Sequence, residues 1–393
     1  MTSLTKPQIY LMAATAGICV ANVYYSQPIL NAIAGSFNIS AEKAGTVSVL
    51  SQIGYGVGLF LLTPIGDMIE RKKLIKYLQA GLIASLLIMA FASGLWMLYT
   101  GALLIGVFSV VAQVILPMAA SLITENRGKV VAQIFTGILV GILVARVFSG
   151  FITGWLSWHY VYIISAAMVL GTAFLMEADF PSVPARFNGT YSGLLKSTIA
   201  QVGRFALLRR TALTGMLAFG TLSAFWVTLT FYLSGAPFNY STQVIGLFGL
   251  LAAAGALAAP LFGKLADKGS TSRSLLFSTW LTLVGIVVLK FFPGTVAAIW
   301  VAVILLDVGI QATQVTNIAV IYTLDNTANS RINTVYMTSY FIGGALGAFA
   351  AIQCYNAGGW EWATWLMLGL SIAAVVNVIF IRTKNSGVLP EKA

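Results

Sequence analysis

The sequence predicts an all-α membrane protein: twelve transmembrane helices in two pseudo-symmetric six-helix bundles. Three observations carry this. Of 393 residues, 59% are hydrophobic and only 8% are charged, about a third of the charge of an ordinary soluble domain. A chain this poor in polar groups cannot cover a soluble surface, and its mean hydropathy of +0.90 says the same. At about 20 residues per crossing, the apolar runs make twelve helices. Finally, the basic residues fall into loops of one parity, which twelve crossings explain and an odd number would scatter.

The first run, near 8–34, follows Met1 to Gln8 and meets no small-residue cleavage site, so it reads as a membrane helix and not as a removable signal peptide. The second, near 43–65, ends before Gly66-Asp67, and the third, near 74–94, starts after Arg71-Lys72-Lys73. Runs near 96–123, 129–153 and 157–177 complete the first half. After a polar connection they resume near 208–236, 242–265, 273–291, 295–323, 331–355 and 359–381. This divides the chain into an N-terminal bundle over 1–177, a cytoplasmic linker over 178–206 and a C-terminal bundle over 207–393. The linker's second part interleaves Leu194, Leu195, Ile199 and Val202 with Lys196 and Arg204, an amphipathic pattern suited to a membrane surface; a plain linker is the alternative.

The 22 Lys and Arg residues against 11 Asp and Glu are a topological excess and not a nucleic-acid footprint. Lys6, Arg71 to Lys76, Arg127, Lys129, the cluster Arg186 to Arg210, Lys264, Lys268, Arg273, Arg331, Arg382 and Lys384 share one face, leaving Lys43 and Lys290 on the other. Both termini and the linker are therefore expected in the cytoplasm. Cys19, Cys354 and the single histidine, His159, offer no ligand spacing, so neither a metal nor another cofactor is expected. With no phosphate-binding glycine run and no nucleophile–base pair, neither direct ATP drive nor an enzyme is expected.

The halves echo one another. Phe37-Asn38-Ile39-Ser40 with Gly45 recurs as Phe238-Asn239-Tyr240-Ser241 with Gly246, and Gln113 is matched by Gln314. Gly66-Asp67 with its basic run is matched by Gly263 to Lys268. Twin halves of this kind are how many secondary transporters are built, with substrate bound near the bilayer midplane.

These features resemble the major facilitator superfamily along the whole chain. Gly263 to Lys268 follows the family's G-x-L-A-D-R loop signature closely; the first copy keeps Asp67, Arg71 and Lys72 but has Thr63 and Glu70 in place of glycines. Gly137 and Gly141, on a ladder ending at Gly150, resemble the helix 5 signature of drug:proton antiporters, without its proline and with Arg146 added. The basic residue of helix 4 in those families is absent, Ala102 standing about there. Asn22-Val-Tyr-Tyr-Ser-Gln-Pro28, together with the helix 5 arginine, looks most like the acriflavine-sensitivity branch of multidrug exporters. The resemblance implies the major facilitator fold and a bacterial inner-membrane, multi-pass location. It also implies gating contacts for Asp67 with Arg71 and Lys72 and for Asp267 with Lys268; Arg127 and Arg331 are candidate partners, and plain topological charge is the alternative.

Ionisable side chains inside the hydrocarbon cost at least ~2.5 kcal/mol and mark function by default. Two stand out, Arg146 and Asp307. Apolar surroundings favour the neutral acid and a guanidinium favours the carboxylate, so Asp307 can take up and release a proton if its surroundings alternate. Otherwise it holds helices together. Arg146 stays protonated; it pairs with Asp307, binds an anionic substrate, or bonds helix-end carbonyls. Gln311 and Gln314 share a helix face with Asp307, with Gln113 at the related place on helix 4, as substrate contacts or as amide glue between helices. Asn22, Tyr24, Tyr25, Gln27, Trp226, Tyr232, Tyr336 and Tyr340 complete the candidate binding set, since aromatic faces with a few amides suit planar, amphipathic or cationic compounds. Trp155, Trp158, Trp360 and Trp362 are assigned to the interfacial belt. The expected function is proton-coupled export of small amphipathic or aromatic compounds by alternating access. The alternative is a permease for a small organic anion anchored by Arg146. A small molecule, protons and the lipid bilayer are the expected partners, nucleic acid is not, and a monomer is expected.

Overall fold

The structure is a computed structural model describing residues 4–123, 127–184, 189–253, 271–325 and 328–385. Every regular element among these residues is helical. α1 (Lys6–Ala21) opens with a capping box: the Thr5 hydroxyl accepts from the Gln8 amide, and the Thr5 amide donates to the Gln8 side chain. This satisfies end groups that a helix leaves orphaned. The first span then breaks instead of running to residue 34. A 3-10 turn, Gln27–Ile29, separates α1 from α2 (Leu30–Phe37). Pro28 is the cause: it has no N–H to offer the Tyr24 carbonyl, which accepts from Gln27 at 3.3 Å instead. Asn22 caps the broken end, donating to the carbonyls of Ile18 and Cys19 at 2.9 and 3.2 Å.

The chain continues through α3 (Ala41–Leu61), α4 (Arg71–Ala90), α5 (Leu95–Phe108) and α6 (Val111–Leu122). The run expected as one helix over 96–123 is therefore also broken, at Ser109–Val110, and Pro117 inside α6 leaves the Gln113 carbonyl without its amide partner one turn on. α7 (Arg127–Trp155), α8 (Trp158–Asp179), α9 (Tyr191–Arg204), α10 (Ala206–Ser234) and α11 (Thr242–Leu251) follow. α12 (Thr271–Phe291), α13 (Val296–Ile321) and α14 (Asn329–Asn385) complete the order. α14 holds two spans separated by Gly358 and Gly359, the latter at φ 66°. Nine stretches among the described residues are long and apolar enough to cross a membrane, Asn329–Phe380 being one of them. The span expected near 242–265 is described as helix over Thr242–Leu251, and its remainder from 254 lies outside the described residues.

The described residues form two compact units. One lies within Met1–Lys196 together with Leu229–Leu250, the other within Ser197–Thr228 and Leu251–Ala393. In the first unit α1 and α7 cross backbone to backbone. A Cβ on Gly17 would lie 2.5 Å from the Gly137 carbonyl oxygen, and one on Gly141 would lie 2.3 Å from that of Gly17. Gly106 of α5 approaches the Ser51 carbonyl of α3 as closely. Such small-residue contacts let membrane helices gain van der Waals packing where no hydrophobic drive exists between them. At one end of this unit the residues after α8 are tied down: Lys72 donates to the Glu177 carbonyl, Gln8 to that of Asp179, and the Arg71 amide to that of Val183. In the second unit, α12 and α13 are joined by hydroxyl pairs, Ser274 with Thr316 at 3.0 Å and Ser278 with Thr313 at 2.8 Å. There a Cβ on Gly347 of α14 would lie 2.2 Å from the Gly220 carbonyl of α10.

The repeated Phe-Asn-x-Ser motif takes one conformation twice. Asn38 and Asn239 both adopt the left-handed region, at φ 51° and 50°, which asparagine tolerates better than most residues. Ser40 then accepts from the Lys43 amide and Ser241 from the Val244 amide, starting α3 and α11. Two tryptophans depart from the expected interfacial belt. Trp158 is 2% exposed, with its indole N–H on the Ser36 hydroxyl, and Trp360 is also buried; Trp155 and Trp362 are exposed. A nearby hydroxyl that accepts the indole proton lets Trp158 turn inward.

Candidate functional site

Arg146 is the centre of the polar cluster in the first unit. The glycine ladder Gly137–Gly141 presses α7 onto α1, and five residues beyond it the arginine side chain is 2% exposed. Its Nε donates to the Gln27 amide oxygen at 3.1 Å, and its guanidinium carbon lies 5.5 Å from the Tyr24 ring centroid. A hydrogen bond to a charged group contributes about 1.5–3 kcal/mol, and a desolvated cation–π contact up to about 2 kcal/mol. Together they offset much of the cost of holding a charge away from water. The break in the first span makes this arrangement: in a continuous helix residues 24 and 27 would follow α1, whereas here both lie in the turn that faces α7. On its other side Arg146 meets α11. A Cβ on Gly249 would lie 2.8 Å from the Arg146 Cβ, and one on Gly246 would lie 2.7 Å from its carbonyl oxygen.

The other candidates of this unit have distinct surroundings. Tyr25 is buried, its ring 5.5 Å from that of Phe148. Asn22 is spent within the fold: besides donating to two carbonyls, its Oδ1 accepts from Ser165 at 2.7 Å. Asn22→Ala is accordingly expected to destabilise the protein by about 1–3 kcal/mol, the cost of stranding buried polar groups, seen as earlier thermal unfolding of the detergent-solubilised protein. Gln113 is half-buried on α6 and interacts with the Tyr55 hydroxyl. Tyr232, in the last turn of α10, packs edge-on against Phe238 at 5.3 Å. Asp67 pairs with Arg71 at 3.0 Å, and the same guanidinium reaches the Gly66 carbonyl and the Ser121 hydroxyl. Lys72 is directed instead to the end of α8. The side chain of Arg127, and Asp267 altogether, lie outside the described residues.

In the second unit Asp307 is 4% exposed near the middle of α13. Gln311 and Gln314 follow at one and two turns, and Gln314 donates to the Met337 sulfur at 3.9 Å. Tyr336 is fully buried beneath Gly215, and Tyr340 stacks on Phe219 with centroids 4.1 Å apart. Trp226 is buried beside Phe225, and Arg331 is half-buried in the first turn of α14. Asn317 was not singled out from the sequence. It donates to the Tyr336 hydroxyl at 3.2 Å and towards the Thr211 carbonyl at 3.4 Å. Its position three residues beyond Gln314 on the same polar stretch was the available signal. No cluster of His, Cys, Asp and Glu able to hold a metal occurs among the described residues.

Broken and continuous apolar helices, with a buried arginine and a buried acid inside them, define a polytopic helical membrane protein. A family model described as Major Facilitator Superfamily matches residues 12–348, and the chain belongs to that superfamily. It is 38% identical over 387 residues to YgaY of Escherichia coli (strain K12), named as an uncharacterized transporter, covering 96% of this chain and 98% of the relative. It is 24% identical to the class H tetracycline resistance protein of Pasteurella multocida, over 83% of each chain. Its fold matches the crystal structure of a POT family transporter in complex with a thioalcohol conjugated peptide, with TM-score 0.76, 12% identity and 98% and 97% of the two chains covered. The protein is a membrane transporter with the major facilitator fold, not an enzyme.

Proposed function

We propose that this transporter exports small amphipathic or aromatic compounds across the bacterial inner membrane in exchange for protons, by alternating access of its two six-helix halves, 1–177 and 207–393. Both termini and the 178–206 linker lie in the cytoplasm in this reading, with the pair Asp67–Arg71 favouring the state closed on that side. Asp307 carries the reading: a carboxylic acid 4% exposed in the middle of an apolar span is expensive to keep there. It shares a helix face with two amides. The aromatic residues of the same unit, Trp226, Tyr336 and Tyr340, supply flat apolar surface for the solute. The name of the tetracycline resistance relative, and that of a Helicobacter pylori sugar efflux relative at 22% identity, support export as its direction. The test uses purified protein in proteoliposomes. An imposed pH gradient should drive a fluorescent lipophilic dye cation against its concentration gradient, with proton movement in the opposite sense. Dye movement no faster than in protein-free liposomes, whatever the gradient, would overturn it.

A second reading rests on Arg146, whose buried guanidinium can hold a carboxylate through two parallel bonds. It makes the protein a permease for a small organic anion. Arg146→Lys then loses the planar fork, and binding of the anion is expected to weaken by tenfold or more in a panel of small organic acids assayed by calorimetry. An unchanged affinity counts against it.

A further inference from the structure

α9 is not a span. Its 14 residues measure about 21 Å along the axis, too short to cross a bilayer. Phe205 separates it from α10, and Arg209 of α10 reaches back over that break, donating to the carbonyls of Val202 and Gly203 at 2.7 and 3.1 Å. Each end of α9 is tied to a place where an apolar helix stops. The Tyr191 hydroxyl donates to the carbonyl of Leu61, the last residue of α3, at 2.7 Å. Arg204 pairs at 2.6 Å with Asp325, just past the end of α13. α9 therefore sits at the membrane surface and not within it.

At about 100° per residue, the side chains of α9 sort into three faces. Leu194, Thr198 and Gln201 are buried. Beside them Leu195, Ile199 and Val202, spaced i, i+4 and i+7, form an apolar stripe: Leu195 is half-buried, Ile199 56% exposed and Val202 38% exposed. Ser192, Lys196, Ala200 and Gly203 are exposed on the remaining side. A surface helix ordinarily turns its apolar stripe to the core. Here two polar side chains are turned inward and the stripe is left outside. From Tyr191 to Arg210 the sequence holds four basic residues, Lys196, Arg204, Arg209 and Arg210, and no acid.

We propose that α9 docks on the cytoplasmic leaflet of the bilayer, with the Leu195–Ile199–Val202 stripe entering the acyl chains and the basic residues beside it holding anionic phospholipid headgroups. The occupant follows from size and charge. A stable protein partner needs about 800 Å² on each side, far more than three side chains offer, whereas a bilayer already lies against the neighbouring spans. An acid-free basic stretch selects an anionic surface, and each basic residue near such a surface shifts the docking equilibrium about fivefold. The proposal rests on the cytoplasmic placement of this segment in the reading above, and on neither the solute nor the proton coupling.

The test reads the position of α9 in the bilayer and needs no transport. In a Cys354→Ser background, with Cys19 fully enclosed, Ile199→Cys and Ala200→Cys are labelled separately with an environment-sensitive fluorophore. The full-length proteins are reconstituted into liposomes whose lipids carry bromine on the acyl chains. Label at 199, on the stripe, is expected to be quenched, and label at 200, on the polar face of the same turn, to be spared. Replacing phosphatidylcholine by phosphatidylglycerol should deepen the quenching at 199. Salt at about 1 M, where the screening length is about 3 Å, should remove that gain. Lys196→Gln should lower the ratio of quenched to unquenched label about fivefold in the anionic bilayer and leave the zwitterionic one unchanged. Equal quenching at 199 and 200 would overturn the proposal, as would quenching at 199 that ignores lipid charge, salt and Lys196. Disulfide formation between copies through Ile199→Cys, without quenching, would make the stripe a contact between copies and overturn it too. Because the label reports lipid and not solute, a protein that moves no dye cation can still pass this test, and one that exports can still fail it.

Discussion

Asp307→Asn is expected to abolish accumulation of the dye cation driven by a pH gradient while leaving its downhill exchange intact. Asparagine keeps the shape of the neutral acid and much of its hydrogen bonding, so α13 should pack as before. What it cannot do is gain and lose a proton during the cycle. With one proton per solute, a gradient of about two pH units supplies about 2.7 kcal/mol, enough to sustain a concentration ratio of about a hundred. Without the titrating group the ratio should fall to about one. Asp307→Glu is expected to keep part of the coupling, since the carboxyl remains although its reach changes. The measurement compares steady-state dye accumulation with counterflow in the same proteoliposomes, because counterflow needs no proton. An Asp307→Asn variant that still accumulates dye about a hundredfold would move the coupling site elsewhere.

How much of this was legible beforehand depends on what each residue's signal was. Arg146 and Asp307 stood out because a charge in an apolar run has few innocent explanations. The Phe-Asn-x-Ser repeat was visible as letters, and the structure gives it a physical content: one left-handed asparagine and one serine cap at each copy. The break in the first span was less visible. Pro28 announced it, but proline is tolerated in membrane helices, and only the redirected Tyr24 carbonyl and the Asn22 cap show that the helix stops. Thr230 was illegible. Like Thr228, which bonds to the carbonyl one turn earlier, it sits in an apolar run where threonines commonly back-bond. Only Gln27, 203 positions away, distinguishes them: its carbonyl accepts from the Thr230 hydroxyl. Trp158 failed for the same reason: a position at a helix end suggests the lipid interface, and the Ser36 hydroxyl that draws it inward is 122 residues distant.

Gly141→Ala is expected to be among the most damaging single-methyl changes in the protein. The added Cβ would lie 2.3 Å from the Gly17 carbonyl oxygen and 2.6 Å from both its carbonyl carbon and Cα. All three are backbone atoms of α1, so no side chain can rotate out of the way and the two helices must separate. Gly137, one turn earlier, makes the same close approach to Ala13, which leaves little freedom to pivot. Overpacking of this kind costs about 1–3 kcal/mol and occasionally more, and here the consequence travels. Arg146 lies five residues further along α7, and its hydrogen bond to Gln27 spans only 3.1 Å. A shift of α7 by an ångström would break that bond before the fold itself fails. Gly171→Ala is the matched control: it adds the same methyl within α8, where nothing lies within 4 Å of the new atom. Removing a glycine from a helix interior is ordinarily stabilising by about 0.5–1 kcal/mol. Thermal unfolding of the two variants in detergent should therefore move in opposite directions, Gly141→Ala downward and Gly171→Ala level or upward. Equal unfolding temperatures for the two glycine variants would mean that α1 and α7 do not need to cross this closely, and that Arg146 is held in place by something other than the ladder beneath it.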